Sequence, residues 1–470
     1  MHSTFSRSPL DWALIVIYFG FLALVWVRLL GRRSSTDDYL VASRRVTLPA
    51  FVATLVTTWY GGILGVGEYA WRYGISNWLV FGVPYYIGAL LFAVLFARRA
   101  RGAALYTIPD LLENAYGRGP ALFGALAVFV ISAPAAYVLM LGTLFAAMFG
   151  APLVPCIVAA ALVSVFYVDR GGLRTVVFTD QVQFVLMYAG FVLALGYLVA
   201  EHGGWGFLTH HLPATHFEWN GGNPPAAVLV WYFIALSALV DPGFWQRAYA
   251  ARDPVVARRG VLWSIAFWMV FDFLTTFTGL YARAVLPRLS QPVFAFPEIA
   301  RVALPPVALG LFYLAMIATV MSTIDSYGFI AATTLSRDVA WRIRRGPEHH
   351  LPRWTRVALW VSAAFATVLA LARQSVVDLW HDLGSITTPA LLLPVGAALL
   401  ARGQLGPRAT LLAMVAPFTV ALVWILLRAF PPRGWPAAYP LSIEPIYAGL
   451  ATSLLVYAIG HLVRRKEAAR

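Results

Sequence analysis

The feature that most constrains this chain is a repeated one: apolar runs of about 20 residues, joined by mostly short loops, recur from Leu10 to Val463. The hydrocarbon of a bilayer offers no water to backbone N–H and C=O groups, so only helices and closed barrels can span it. A barrel strand needs a ten-residue alternation of apolar and polar positions. The runs here are continuous and about twice that length, which selects helices. Composition agrees, with 60% of residues hydrophobic and 12% charged, where a soluble chain carries about a quarter charged. The expected fold is all-α and integral to the membrane. No small-residue cleavage site follows the first run, Leu10–Leu30, which therefore reads as a retained span and not a signal peptide.

Thirteen spans are expected, at about 10–30, 47–72, 76–97, 119–149, 152–168, 174–200, 226–249, 255–286, 304–342, 354–372, 375–401, 406–430 and 443–463. Most of the 35 Lys and Arg residues fall in alternate loops. One side collects Arg28, Arg32, Arg33, Arg44 and Arg45, then Arg98, Arg99 and Arg101, then Arg247, Arg252, Arg258 and Arg259. It continues with Arg337, Arg342 and Arg345 and ends with Arg464 and Arg465. Positive charge stays cytoplasmic, so the N-terminus is expected outside and the C-terminus inside. The net charge of +14 then reads as anchors facing anionic lipid, and nucleic acid is not an expected partner. The single cysteine, Cys156, can form no internal disulfide.

Two spans carry breaks. The second holds Gly61, Gly62, Gly65 and Gly67 within Thr54–Gly74, and the seventh holds Asp241-Pro242-Gly243. Glycines serve close helix crossing, and a proline can be a plain kink. The two breaks lie five spans apart, however, and an odd interval turns the second unit upside down relative to the first. That is the layout of an inverted repeat whose broken first helices meet at the bilayer midplane. The expected division is an N-terminal extra span and loop over 1–46, a five-helix repeat over 47–200, and an extracellular loop over 201–225. A second repeat over 226–401 and two peripheral spans with a basic tail over 402–470 follow.

The ninth span is apolar, yet Thr319, Ser322, Thr323 and Ser326 share one helical face, with Asp325 beside it. Such hydroxyls can bond back to carbonyls or let helices pack closely. They are equally oxygen ligands for a hard monovalent cation. Thr54, Thr57, Thr58, Gly61 and Gly65 likewise share a face of the second span.

Four stretches carry a family resemblance. S-T-I-D-S at Ser322–Ser326 is followed by Arg337-Asp338, and G-G-L-R-T-V-V-F-T-D-Q-V-Q covers Gly171–Gln183. Q-R-A-Y-A-A-R-D covers Gln246–Asp253, and Y-T-I-P-D-L-L-E covers Tyr106–Glu113. Each is modest alone. In this order and spacing the chain resembles the sodium:solute symporter family over about residues 10–463. The resemblance implies a Na+ site of five oxygens: the hydroxyls of Ser322 and Thr323 and the carbonyls of Thr319, Leu55 and Thr58. It also implies that Asp180 lies on the inward exit route of the ion; a helix-end pairing with Arg174 is the ordinary alternative.

Where sugar-carrying members of the family place polar side chains, this chain has Gly62 and Phe81. Buried sugar hydroxyls would lack partners there, at about 1–3 kcal/mol each. Trp59 and Tyr60 flank the first break, and Ser237, Asp241 and Trp245 surround the second. A small amino acid or carboxylate capped by aromatic rings is therefore expected as the solute. Glu68 and Asp272 are further candidates as intramembrane acids. The resulting expectation is a sodium-coupled symporter, not an enzyme, working by alternating access in the cytoplasmic membrane of a bacterium. The alternatives are a sugar or polyol symporter of the same fold, a proton-coupled carrier, and a sensor that keeps the fold without transport.

Overall fold

The helices open where the sequence supplies a cap and close where the apolar run ends. Thr107 and Asp110 form a capping box at one start, and Asp253 accepts from the amides of Val255 and Val256 at another. Proline occupies an early helical position beside both caps, where its missing N–H has no partner to lose. The computed structural model describes residues 5, 8–29, 35–344, 347, 350–372, 375–433 and 436–468, with backbone alone at 166–171 and 465–468. Arg32, Arg33 and Arg345 lie outside the described residues.

In chain order the main helices are α1 (Pro9–Leu29), the bent pair α2 (Leu48–Trp59) and α3 (Ile63–Tyr73), α4 (Trp78–Ala103), the short α5 (Ile108–Tyr116) and α6 (Arg118–Phe149). Then come α7 (Leu153–His202), α8 (Pro225–Ile234), α9 (Pro242–Ala250), α10 (Pro254–Val285) and α11 (Ala308–Arg344). The chain continues through α12 (Leu351–Ala372), α13 (Val376–Leu400), α14 (Pro407–Ala429) and α15 (Pro445–Ala468). Among the described residues, eleven helices are long and apolar enough to cross a membrane, and up to twelve if α2 and α3 form one span. The sequence predicts thirteen. The difference lies at the expected span 152–168, where the apolar part, Leu153–Val165, is short. It runs into the rest of α7 through a kink at Gly172, whose φ of 58° suits glycine.

Burial ranks the helices. The apolar window of α11 is 94% buried, against 22% for α1 and for Pro445–Arg464. α11 is therefore the central post, packed by α1, α2, α6, α7 and α12. The outer helices turn large apolar side chains outward, among them Ile17, Val368, Leu412 and Leu454, as lipid-facing surfaces do. Between α7 and α8, Trp205 and Trp219 are exposed, but the loop is tied down: Ile75 N–H donates to the His216 carbonyl at 2.9 Å.

One expectation about charge fails at three positions. Arg247, Arg337 and Arg342 do not face lipid as loop anchors. Arg247 is 1% exposed, and Arg337 and Arg342 bridge α11 to α5 by pairing with Asp110 at 2.6 and 2.8 Å. Desolvating a guanidinium costs free energy that close pairing offsets: Asp110 and Asp338 pair with Arg337 and Arg342, and Asp180 with the hydroxyls of Thr54, Thr58 and Ser326 surrounds Arg247.

Candidate functional site

The first break is where the backbone comes loose. α2 and α3 meet at 60° across Tyr60-Gly61-Gly62. Side chains are excluded from the hinge by contact: a Cβ at Gly61 would stand 2.5 Å from Thr323, and one at Gly62 would stand 1.7 Å from the Trp380 ring. α11 consequently approaches the end of α2 directly. Thr323 Oγ1 lies 2.9 Å from the Thr58 carbonyl, 3.3 Å from that of Thr319 and 3.4 Å from that of Thr57. One hydroxyl proton cannot serve three carbonyls, so the corner is rich in oxygen lone pairs. Thr319 contributes its carbonyl, because its own hydroxyl donates back to Ala315 at 2.7 Å. Leu55 is buried one turn before the hinge on α2.

Ser322 turns to the next element. Its hydroxyl donates to Asp180 Oδ1 at 2.6 Å, and Thr54 donates to the other carboxylate oxygen. With its proton directed at Asp180, Ser322 keeps its lone pairs for an electrophile. Asp180, on α7, is fully buried and does not pair with Arg174, which reaches Asp38 at 3.2 Å instead. The helix-end alternative for Asp180 is thereby overturned, since its cationic neighbour is Arg247 at 3.7 Å. The second break delivers that arginine: Asp241 caps α9 by accepting from Gly243 and Phe244, and Arg247 follows two turns into the helix.

A cavity lies between the two breaks. Of the residues singled out from sequence, Trp59, Tyr60, Gly62, Phe81, Ser237, Asp241 and Asp272 line it. Its volume is about 110 Å³, several times the roughly 10–15 Å³ that one water requires. Its walls also include Tyr85, Tyr137, Tyr327 and Trp380. Trp59 packs edge-on against Tyr85 with centroids 5.1 Å apart, and Tyr137 stacks on Tyr327 at 5.6 Å. Asp241 accepts from the Tyr327 hydroxyl at 2.7 Å, and Asp272 accepts from Tyr86. Among the described residues, no Lys, Arg or His lines this cavity.

Two candidates lie elsewhere. Trp245 is turned away from the cavity: its indole N–H donates to Leu239 O at 2.9 Å and its ring packs on Phe92 and Phe96, bracing the break from behind. Glu68 pairs with Arg72 at 3.0 Å and lines a separate, wider space beside Gly65 and Gln291. Asp325 lines a further small space with Ser164 and Gly328. Sequence reasoning missed Arg247, Tyr327 and Trp380. A cation four residues past Gly243, inside an apolar span, was a usable signal for the first. Tyr327 adjoins the S-T-I-D-S run. Nothing local marks Trp380.

A hinge with loosened carbonyls, a buried hydroxyl stripe against it and an aromatic-lined cavity at the crossing define a multi-pass helical membrane transporter. The family model described as Sodium:solute symporter family matches residues 39–400, and the chain belongs to that family. It is a transporter, not an enzyme. The osmoregulated proline transporter OpuE of Bacillus subtilis (strain 168) is 24% identical, over 94% of this chain and 94% of its own. The high affinity choline transporter 1 of Homo sapiens is 25% identical, over 78% and 69%, and the sodium/pantothenate symporter of Escherichia coli (strain K12) is 23% identical, over 77% of each. The substrate-bound, outward-open Na+-coupled sialic acid symporter superposes with a TM-score of 0.78 at 16% identity, covering 97% of this chain and 98% of that one.

Proposed function

We propose that this chain carries a small amino-bearing organic solute inward across a bacterial cytoplasmic membrane, driven by sodium bound between α2 and α11. The observation that carries the reading is the placement of Thr323 against the loosened Thr57 and Thr58 carbonyls. Sodium would be held by the hydroxyls of Ser322 and Thr323 and the carbonyls of Leu55, Thr58 and Thr319. Filling that corner ties the hinge to the central post, so the ion shapes the adjoining cavity wall formed by Trp59, Tyr60 and Gly62. Coupling of about 1–3 kcal/mol between the two sites would change solute affinity about 5–150-fold. Closure of the outer side follows, and sodium leaves inward past Asp180. The inverted repeat over 47–200 and 226–401, with the N-terminus outside and the C-terminus inside, belongs to this reading.

The cavity narrows the solute. Aromatic faces attract ammonium and quaternary ammonium groups by about 0.5–2 kcal/mol each, and two carboxylates stand in the same wall. A plain carboxylate would meet no side-chain cation there. The start of α3 at Gly62, which has no side-chain cap, offers amides to the carboxylate end of a zwitterion. Proline and choline, the solutes in two relatives' names, both bear such a nitrogen.

Thermal melts of purified protein in sodium or potassium chloride, with proline, choline, pantothenate, sialic acid or glucose added, test both parts. Stabilisation by an amino-bearing solute, and only in sodium, is expected. Stabilisation by glucose or pantothenate alone would refute the solute class. Equal melts in the two salts would refute the coupling.

A further inference from the structure

Asp241 and Asp272 both line the cavity, yet the protein answers their charges unequally. Both oxygens of Asp241 are engaged: Oδ1 accepts from the Gly243 and Phe244 amides at 2.8 and 3.2 Å, and Oδ2 accepts from the Tyr327 hydroxyl at 2.7 Å. Asp241 also caps the start of α9, where the helix dipole favours a negative charge. Asp272 lacks both the amides and the helix end. It is 2% exposed and stands inside α10, remote from either terminus of that helix. The Tyr86 hydroxyl of α4 donates to its Oδ2, while the neighbouring Tyr60 hydroxyl sends its proton to the Trp268 carbonyl at 3.1 Å. Gly82 leaves space for this pair: a Cβ there would stand 3.0 Å from the Tyr86 hydroxyl and 3.2 Å from Asp272 Oδ2. Among the described residues, no Lys, Arg or His forms an ion pair with Asp272.

We propose that Asp272 is the residue that reads the solute's nitrogen, by accepting from an ammonium that carries at least one N–H. The proposal rests on the amino-bearing solute argued above and narrows it. A buried charge is costly without a partner, and an acid at membrane depth marks a solute or ion path. An entering ammonium brings Asp272 the compensation that the fold itself gives to Asp241. An ionised carboxylate offers about four lone-pair sites, and Tyr86 fills one. A further bond from an ammonium is charge-assisted, roughly twice as strong as a neutral one. A quaternary nitrogen would answer the charge but has no proton to give. The rings of Trp59 and Tyr60 attract either kind of cation, so it is Asp272 that tells them apart.

The test is equilibrium binding of radiolabelled proline to the purified full chain in sodium chloride, with two competitors. Dimethylproline, methylated twice on nitrogen, keeps the charge and loses the N–H; the tetrahydrofuran analogue keeps ring and carboxylate but has oxygen for nitrogen. On the unaltered protein both should compete at least about tenfold more weakly than unlabelled proline. Asp272→Asn should weaken proline binding at least about tenfold and narrow the gap between proline and dimethylproline, while its sodium-dependent melting shift persists. Asp241→Asn should weaken proline binding less. Dimethylproline competing as well as proline would overturn the proposal even if no variant folds. Unchanged proline affinity or an unchanged gap in Asp272→Asn, or a greater loss in Asp241→Asn, would overturn it too. Choline bound in sodium without any binding of proline would overturn it while leaving sodium coupling and the amino-bearing class in place. Binding of glucose or pantothenate alone would instead remove the solute class on which the proposal stands.

Discussion

Replacing Thr323 with valine isolates the hydroxyl from the shape of the corner, since both side chains are β-branched. In the sodium-free form Thr323 Oγ1 donates to the Thr58 carbonyl at 2.9 Å, a neutral hydrogen bond with a net contribution of about 0.5–1.5 kcal/mol. With sodium bound, the same oxygen would face a full charge, where a hydrogen-bond-like contact contributes about 1.5–3 kcal/mol. The variant loses both, so sodium affinity changes only by the difference, about 1–1.5 kcal/mol. That corresponds to roughly five- to fifteen-fold weaker sodium binding. The fold is also destabilised, because the Thr58 carbonyl is left in a buried corner without that donor, at about 1–3 kcal/mol. Sodium titrations of the melting temperature in detergent give both numbers from one experiment. Thr323→Ser keeps the hydroxyl and should stay near the native midpoint. A Thr323→Val protein that melts lower but keeps its sodium midpoint within about twofold would refute the assignment of this hydroxyl as a ligand.

Two further outcomes are expected. Gly62→Ala drives a Cβ to 1.7 Å from the Trp380 ring, an overpacking cost of about 1–3 kcal/mol; solute-dependent stabilisation should vanish while sodium-dependent stabilisation survives. The α5–α11 cluster should give a pH signature through Asp110. Burial alone would raise its carboxyl, but Arg337, Arg342 and the Tyr106 amide hold it below the ordinary carboxylate range. A depressed acid stabilises the fold fully above its unfolded value, near 3.9, and loses that contribution as pH falls through the folded value. Asp110→Asn should therefore melt several degrees lower at neutral pH, with the gap closing in acid. A gap independent of pH would show that Asp110 acts there without its charge, despite also facing Asp338 and Glu113 across the two arginines.

Local pattern was enough to find what depends on local pattern. The apolar runs predict where helices lie, because lipid rejects unpaired backbone whatever the neighbours are, and the observed helices follow them closely from Pro9 to Ala468. Thr319, Ser322 and Thr323 were legible for the same reason: a helical period in one short segment puts them on one face. The breaks at Gly61-Gly62 and Asp241-Pro242 announce themselves through residues that cannot continue a helix. Tertiary structure alone decided which faces meet. Arg247 reads in sequence as one more basic residue near a span end, and it became a buried counter-charge because Asp180, Thr58 and Ser326 arrive from three distant segments. Trp245 turned its back on the cavity and Trp380 filled the space over Gly62, both by packing between helices far apart in the chain. Hydrophobicity states that a side chain avoids water; which partner receives it is a matter of distances that no single segment contains.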